Sequence, residues 1–174
     1  MRVTQFSLSD ANKTLLVSAD QARQLVEQLV ENYGEEVLHP VTKEKARIFP
    51  TARRLAKANL SEVKTTMARK QTIRDFSQRV LDKELDLSDA QDPTKFRESL
   101  LSIKGIGPWS AEYIALRAIG DTDAFPARDL ILKQALDLHP TLELETIKPW
   151  RSYAAIYLWK GFAKSLSKRR EKKR

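Results

Sequence analysis

A glycine turn and a carboxylate lie close together in the second half of this sequence. Two of the five glycines, Gly105 and Gly107, sit in one turn between two helical patterns. Such a turn allows φ > 0, and the missing side chains let a phosphate backbone come close. The free N–H groups of the following helix would then face the phosphate. Because Asp129 stands at the start of the next helical pattern, this segment can combine phosphate binding with carboxylate chemistry.

Three large aromatic residues accompany the carboxylate. Trp109 and Tyr113 share one face of the helix after the turn, because they are four positions apart. Trp159 lies on the last helical pattern. Aromatic faces near one carboxylate suit a flat, electron-poor ligand, since stacking contributes about 1–3 kcal/mol per base and a cationic ring gains a cation–π attraction. The alternative is that these rings pack in the core, and the residues alone leave both interpretations open.

Helical periodicity predicts the elements that position these residues. Ser18 and Gln21 form the pattern of a capping box, after which apolar residues recur at helical spacing until Gly34. Asp92–Pro93 predicts the start of the helix before the glycine turn, and Pro108 predicts the start of the helix after it. The remaining helical patterns follow Thr51, cover Arg69–Leu85 and Asp129–Leu136, and begin again at Pro149.

Composition limits the class of protein. Residues 39–48 have the composition of a polar connection, and no segment shows a convincing strand pattern, so the predicted fold is all-α. A chain of 174 residues with 41% apolar content can bury a real core. Without cysteine and with only His39 and His139, metal chemistry is not expected. No apolar run reaches the roughly 18–20 residues of a membrane span and no signal-peptide pattern is present, so the chain is expected to be intracellular.

The charge balance suggests a polyanionic partner. The net charge is +8, but residues 168–174 hold six basic side chains and one acidic side chain, which leaves only +3 for the rest. The basic tail, assigned to residues 167–174, is either a mobile arm that adds nonspecific phosphate affinity or a solvated terminus without a role.

Three blocks of residues, taken in order, carry a resemblance to a known family. The blocks are Gly105–Arg117, Asp123–Asp129 with Lys133 and Gln134, and Lys148–Tyr153, and Phe49–Thr51 also fits. In these blocks the sequence resembles the helix-hairpin-helix DNA glycosylases, and among them the bacterial 3-methyladenine DNA glycosylase II group. The resemblance runs from about Leu16 to Lys160. The glycine turn alone would be a weak signal, because noncatalytic DNA-binding proteins also use that helical hairpin.

The resemblance implies a domain organisation. Residues 18–166 would form the glycosylase domain, as two helical lobes with a cleft and with the hairpin over residues 93–118. Residues 1–17 would be an N-terminal extension. The α+β domain that precedes the helical part in bacterial representatives is expected to be absent. The usual Gly-Gln of the family is replaced by Thr14-Leu15.

The resemblance also implies an activity. The enzyme would flip a damaged nucleotide out of the duplex and hydrolyse its N-glycosidic bond, with Asp129 as the catalytic carboxylate. An alkylated base such as 3-methyladenine already carries positive charge, so it needs little protonation to leave and one carboxylate can suffice. The alternative for Asp129 is that it only caps its helix and pairs with Lys133. Bifunctional relatives carry a lysine where this chain has Trp109, so a monofunctional enzyme without a cofactor is implied.

The same resemblance assigns roles to the remaining site residues. Tyr113 and Trp159 would stack on the flipped base, and Trp109 would line the pocket. Leu16 aligns with the wedge residue that fills the gap left by the base, although it is also an ordinary apolar residue near a helix start. The implied partner is double-stranded DNA with damaged bases, bound by a monomer away from any membrane. DNA contacts are implied for Gly105, Gly107, Lys104 and Ser110, with a monovalent cation at the hairpin carbonyls.

Two functions of other classes remain open. The chain can be a helix-hairpin-helix DNA-binding module that has lost catalysis, or a fragment of a larger glycosylase. It can also be a helical protein-interaction domain, although the glycine turn argues against that.

Overall fold

The chain is mostly helical. The computed structural model describes residues 19–88 and 92–171. The chain divides into two compact units, Met1–Asp82 and Lys83–Arg174. Ser18, predicted to cap the first helix, and Leu16, predicted as the wedge, lie outside the described residues.

The first helix, α1 (Ala19–Tyr33), ends at Gly34 as the sequence predicts. The Gly34 N–H donates to the Val30 carbonyl at 2.9 Å. A Cβ on Gly34 would lie 2.4 Å from the carbonyl oxygens of both Val30 and Ile48, so no side chain fits there. The glycine is therefore required by the close approach of backbone.

Residues 39–48 are not simply a polar connection, and that prediction is wrong for part of the segment. Strands β1 (Glu35–Leu38) and β2 (Lys45–Ile48) pair antiparallel, with the first residue of β1 opposite the last residue of β2. Nearly all of their side chains are exposed, so neither strand shows the period-two apolar pattern by which a half-buried strand is recognised. Backbone hydrogen bonds between β1 and β2 hold this β-hairpin together.

Two more helices complete the first unit. Thr51 caps α2 (Ala52–Lys57), because its side chain accepts a hydrogen bond from the Arg54 N–H at 3.3 Å. Helix α3 (Met67–Leu81) begins two positions earlier than predicted, after Thr66. Helix α2 packs against α3. Among the described residues of this unit, Leu29, Leu55, Leu60 and Val63 form a buried apolar cluster.

The second unit begins its helical part where the sequence predicts. Asp92 caps α4 (Pro93–Leu101) by accepting a hydrogen bond from the Thr94 N–H at 2.8 Å. Helix α5 (Pro108–Ala118) follows the glycine turn and packs against α4. Phe96, Leu100 and Ile103 recur at helical spacing along α4 and just after it, and all three are buried.

The last two helices also pack together. Helix α6 (Leu130–Asp137) begins directly after Asp129, and α7 (Arg151–Glu171) begins shortly after Pro149. Because α7 continues to Glu171, the first residues of the basic tail are helical. In the described parts of the chain, no helix is both long and apolar enough to cross a membrane.

Candidate active site

Asp129 accepts hydrogen bonds from three different helices. Its Oδ1 accepts from the Leu132 N–H at 3.0 Å, which caps α6. The Trp109 indole N–H of α5 donates to Oδ2 at 3.0 Å, and the Trp159 indole N–H of α7 donates to Oδ1 at 3.1 Å. All three partners are donors, so an ionised carboxylate satisfies them without a proton of its own.

Two of the three predicted pocket aromatics, Trp109 and Trp159, contact this carboxylate, and Tyr113 packs against both of them. The Trp109 and Tyr113 rings stack, with centroids 5.3 Å apart and planes inclined by 11°. Trp159 meets Tyr113 edge to face, with a centroid separation of 6.0 Å and an angle of 65°. The Arg117 guanidinium lies 5.9 Å from the Tyr113 centroid. The rings pack on one another, as the core interpretation expects, yet all three are only half-buried, so they also present aromatic surface beside Asp129.

The turn between α4 and α5 uses its two glycines differently. Gly105 has φ of 98°, the left-handed region in which other residues are strained. Gly107 is extended, with φ of −96° and ψ of 175°, so the positive φ that such a turn allows occurs at Gly105 and not at Gly107. A Cβ on Gly107 would meet nothing within 4 Å. Gly107 therefore leaves open space at the start of α5, where it supplies no side-chain cap.

The other residues predicted to contact DNA lie beside this turn. Lys104 is exposed just before it, and Ser110 is half-buried in the first turn of α5. The Ile103 carbonyl accepts a hydrogen bond from the Ile106 N–H at 3.0 Å.

The alternative interpretation of Asp129 holds in one part. Asp129 does cap α6, as that alternative requires. Lys133, its expected ion-pair partner, is exposed, and none of the ion pairs between described residues joins it to Asp129.

An ion pair that the sequence did not predict fixes the segment before Asp129 to α7. The Arg151 Nε and Nη2 atoms donate to the two carboxylate oxygens of Asp123 at 2.7 and 2.6 Å. Hydrogen bonds from Arg151 hold the pKa of Asp123 below its ordinary value, against a smaller opposing effect of burial. The Ser152 hydroxyl, also on α7, donates to the carbonyls of Asp121 and Ala124.

A second unpredicted cluster joins α4 to α5. Arg97 donates from Nε to Glu112 Oε1 at 2.8 Å and from Nη2 to Oε2 at 3.2 Å, and it also pairs with Asp121. Burial lowers the pKa of Arg97, but the hydrogen bonds and charges of Glu112 and Asp121 outweigh it and raise that pKa above its ordinary value. No short motif links these residues, which lie 15 and 24 positions apart, so spacing alone could not reveal them.

Comparison with known proteins gives close relatives in one group. No model of a known protein family matches the chain. The chain is 37% identical over 151 residues to the "Probable bifunctional transcriptional activator/DNA repair enzyme AlkA" of Mycobacterium tuberculosis, covering 82% of this chain and 30% of that protein. It is 29% identical over 151 residues to DNA-3-methyladenine glycosylase 2 of Escherichia coli, covering 83% and 52%. The chain thus spans about half, or less, of these relatives.

A solved structure shares the fold of this chain. The 8-oxoguanine glycosylase/lyase of Clostridium acetobutylicum, solved in complex with double-stranded DNA, matches with a TM-score of 0.65 at 19% identity, covering 84% of this chain and 54% of that one. The chain is therefore similar in sequence to members of the helix-hairpin-helix DNA glycosylase superfamily. Within that superfamily its sequence resembles the bacterial 3-methyladenine DNA glycosylase II group. The predicted fold class is thereby confirmed.

Proposed function

We propose that this chain is a DNA glycosylase that removes alkylated, 3-methyladenine-like bases from double-stranded DNA. The observation that carries the proposal is the Asp129 carboxylate, which is held by two indole N–H groups beside three partly exposed aromatic rings. A flipped, cationic base can stack on such rings, and the carboxylate then faces the sugar to which the base is attached.

The proposed reaction needs no second acid. The bond between C1′ and the base nitrogen breaks, and its electron pair leaves with the cationic base, which becomes neutral. The positive charge that develops on the sugar is stabilised by Asp129. Water adds to C1′ and releases its proton, with Asp129 as the nearby acceptor. The products are a free methylated base and an abasic site.

The hairpin would hold the DNA during this reaction. The open space at Gly107 lets a phosphate approach the first N–H groups of α5, where the helix dipole favours an anion. Lys104 and Ser110 lie on either side of this turn and would add contacts to the same strand. A monovalent cation at the hairpin carbonyls would add positive charge facing the phosphate.

The enzyme is proposed to be monofunctional. Cleavage of the strand through a Schiff base requires an amine that attacks C1′. Trp109 stands at the second position of α5, where the bifunctional relatives carry that amine, and its indole nitrogen acts as a donor to Asp129. Base release should therefore leave the strand intact until it is treated with alkali.

The test compares the wild-type chain with Asp129→Asn on an alkylated duplex. Asparagine is as good a helix cap as aspartate, so α6 should keep its cap in the variant. We expect base release to fall by roughly 100-fold or more, since the charge that stabilises the transition state is lost. Affinity for undamaged duplex should stay close to that of the wild type. Equal release by both proteins would refute the catalytic role of Asp129.

One observation favours a second candidate, a noncatalytic DNA-binding module. Both Asp129 oxygens already have partners, as expected of a residue kept for structure. This candidate predicts salt-dependent duplex binding without base release by the wild-type chain. Measuring released base and gel shift on the same samples separates the two candidates.

A further inference from the structure

Glu112 connects the hairpin side of the candidate site to its catalytic side. It lies on α5 directly before Tyr113, and Arg97 of α4 holds it through two hydrogen bonds of 2.8 and 3.2 Å. Both side chains are shielded, with 22% of Arg97 and 28% of Glu112 exposed. A bidentate arginine–carboxylate pair of this kind fixes the orientation of the carboxylate as well as its distance from the guanidinium. The carboxylate of Glu112 is therefore oriented by the two helices that flank the glycine turn.

The same carboxylate also holds the segment that leads to Asp129. Glu112 Oε2 accepts a hydrogen bond from the Phe125 N–H at 3.0 Å. Phe125 is 6% exposed, and its neighbour Ala124 is fully buried. Beyond them, the Asp129 N–H donates to the Pro126 carbonyl at 2.8 Å. A displacement at Phe125 would thus pass through a short, tightly bonded segment to the Asp129 carboxylate.

We propose that Glu112 is a positioning residue that sets the location of the Asp129 carboxylate relative to the phosphate-binding hairpin. The proposal rests on the function given above for Asp129, because only a reacting carboxylate needs such accurate placement. Glu112 does not touch the substrate in this scheme. It acts through the Phe125 N–H, and Arg97 acts through Glu112.

Glu112→Gln is the variant of choice, with Glu98→Gln as the matched control. Glutamine keeps the shape of the side chain but replaces one acceptor oxygen by an N–H donor. Since Arg97 and Phe125 both present donors to Glu112, at least one of these hydrogen bonds must be lost. Glu98 lies on α4 beside Arg97 and is exposed. The same substitution there removes a negative charge but leaves the hydrogen bonds of Glu112 to Arg97 and Phe125 in place.

The first readout needs no activity. The chain has three tryptophans, so its nitrogen-15 NMR spectrum should contain three indole N–H signals. Those of Trp109 and Trp159 report on their hydrogen bonds to Asp129, and that of exposed Trp150 is an internal control. Glu112→Gln should move the first two signals and leave the third, and Glu98→Gln should move none. Unmoved Trp109 and Trp159 signals in Glu112→Gln would overturn the proposal.

The second readout separates positioning from general damage. Under single-turnover conditions, Glu112→Gln should slow base release by about tenfold while affinity for undamaged duplex stays within about twofold. In an Asp129→Asn background it should cause no further loss, because its effect passes through Asp129. A rate loss matched by an equal loss of affinity or of folded protein would overturn the proposal. If Glu112→Gln does not fold, Arg97→Lys is used instead, since lysine keeps the positive charge but cannot form the bidentate pair with Glu112.

The two proposals fail in different ways. If the wild-type chain releases no base but Glu112→Gln still moves the Trp109 and Trp159 signals, glycosylase activity is refuted and the structural connection to Asp129 stands. If base is released and the signals do not move, the activity stands and the positioning role of Glu112 is refuted.

Discussion

The Asp129 carboxylate combines two tasks that usually fall to different residues. It caps α6 by accepting a hydrogen bond from the Leu132 N–H, and it also accepts hydrogen bonds from the indole N–H groups of Trp109 and Trp159. Hydrogen bonds to a charged acceptor contribute about 1.5–3 kcal/mol each, so the two indoles can fix the carboxylate more firmly than the cap alone. The tryptophans are therefore expected to matter as donors as well as aromatic surfaces.

Replacing each of these two tryptophans by phenylalanine tests whether its indole N–H matters as a hydrogen-bond donor. Trp109→Phe and Trp159→Phe keep an aromatic face but remove the donor to Asp129. We expect each to slow single-turnover base release by about tenfold, which corresponds to one hydrogen bond to a charged group. Trp150 is exposed just before α7. Trp150→Phe should therefore release base at the wild-type rate. If the Trp109 and Trp159 variants also kept the wild-type rate, the indole donors would have no role in placing the carboxylate.

The helical hairpin formed by α4, the glycine turn and α5 carries the proposed phosphate site. Its ends are set by local chemistry, namely the Asp92 cap, Pro93 and Pro108 in first turns, and the left-handed Gly105. Gly107 differs from these because nothing in the folded chain requires the absence of its side chain. The fold itself would accept a side chain at Gly107. A glycine at this helix start therefore fits a ligand that approaches the backbone closely.

Gly107→Ala distinguishes a requirement for folding from a requirement for binding. The backbone angles of Gly107 suit alanine, and the added methyl group would meet no atom of the protein, so the melting temperature should fall by no more than a few degrees, reflecting a poorer helix cap. The methyl group would, however, stand where the phosphate is proposed to bind. Duplex affinity should therefore fall by about tenfold, measured by fluorescence anisotropy at fixed salt.

The control for this prediction is Gly161→Ala on α7, where an added Cβ also meets nothing within 4 Å. That variant should bind DNA as the wild type does. Unchanged affinity in Gly107→Ala would argue against a phosphate at the start of α5.

At the scale of the whole molecule, unit Lys83–Arg174 contains every described residue of the candidate site. We expect the ion pair between Arg151 at the start of α7 and Asp123 in the segment before Asp129 to stabilise this unit. Because that pair lowers the pKa of Asp123 in the folded chain, the folded state favours the ionised carboxyl. Its contribution is present above the pKa of an unfolded aspartate, roughly 3.9, and is lost as pH falls through the lower folded value.

Asp123→Asn should expose this pH dependence. Near neutral pH the variant should melt at a lower temperature than the wild type, because Arg151 loses its charged partner. The difference should persist down to about pH 4 and shrink below it, as Asp123 becomes protonated in the wild type. Thermal unfolding followed by circular dichroism across this range measures the difference. A gap that stays constant down to pH 2 would mean that the ion pair does not cause it.

Features that depend on neighbouring residues could be predicted from the sequence alone. Helix starts at Thr51, Asp92 and Asp129 follow from short-range capping chemistry, and the buried face of α4 follows from helical spacing. The aromatic residues could be singled out for the same reason, because Trp109 and Tyr113 share a helix face. These properties are local, so a single chain carries the full signal for them.

Contacts between residues far apart in the sequence became visible only in the folded chain. The indole donors lie 20 and 30 positions from Asp129, Arg97 lies 15 positions from Glu112, and β1 pairs with β2 through backbone atoms that every residue possesses. A hydrogen bond between distant residues depends on how the helices pack, and no periodicity in the sequence encodes it. The sequence therefore identified the carboxylate, whereas the packing of α4, α5, α6 and α7 determined what holds it in place.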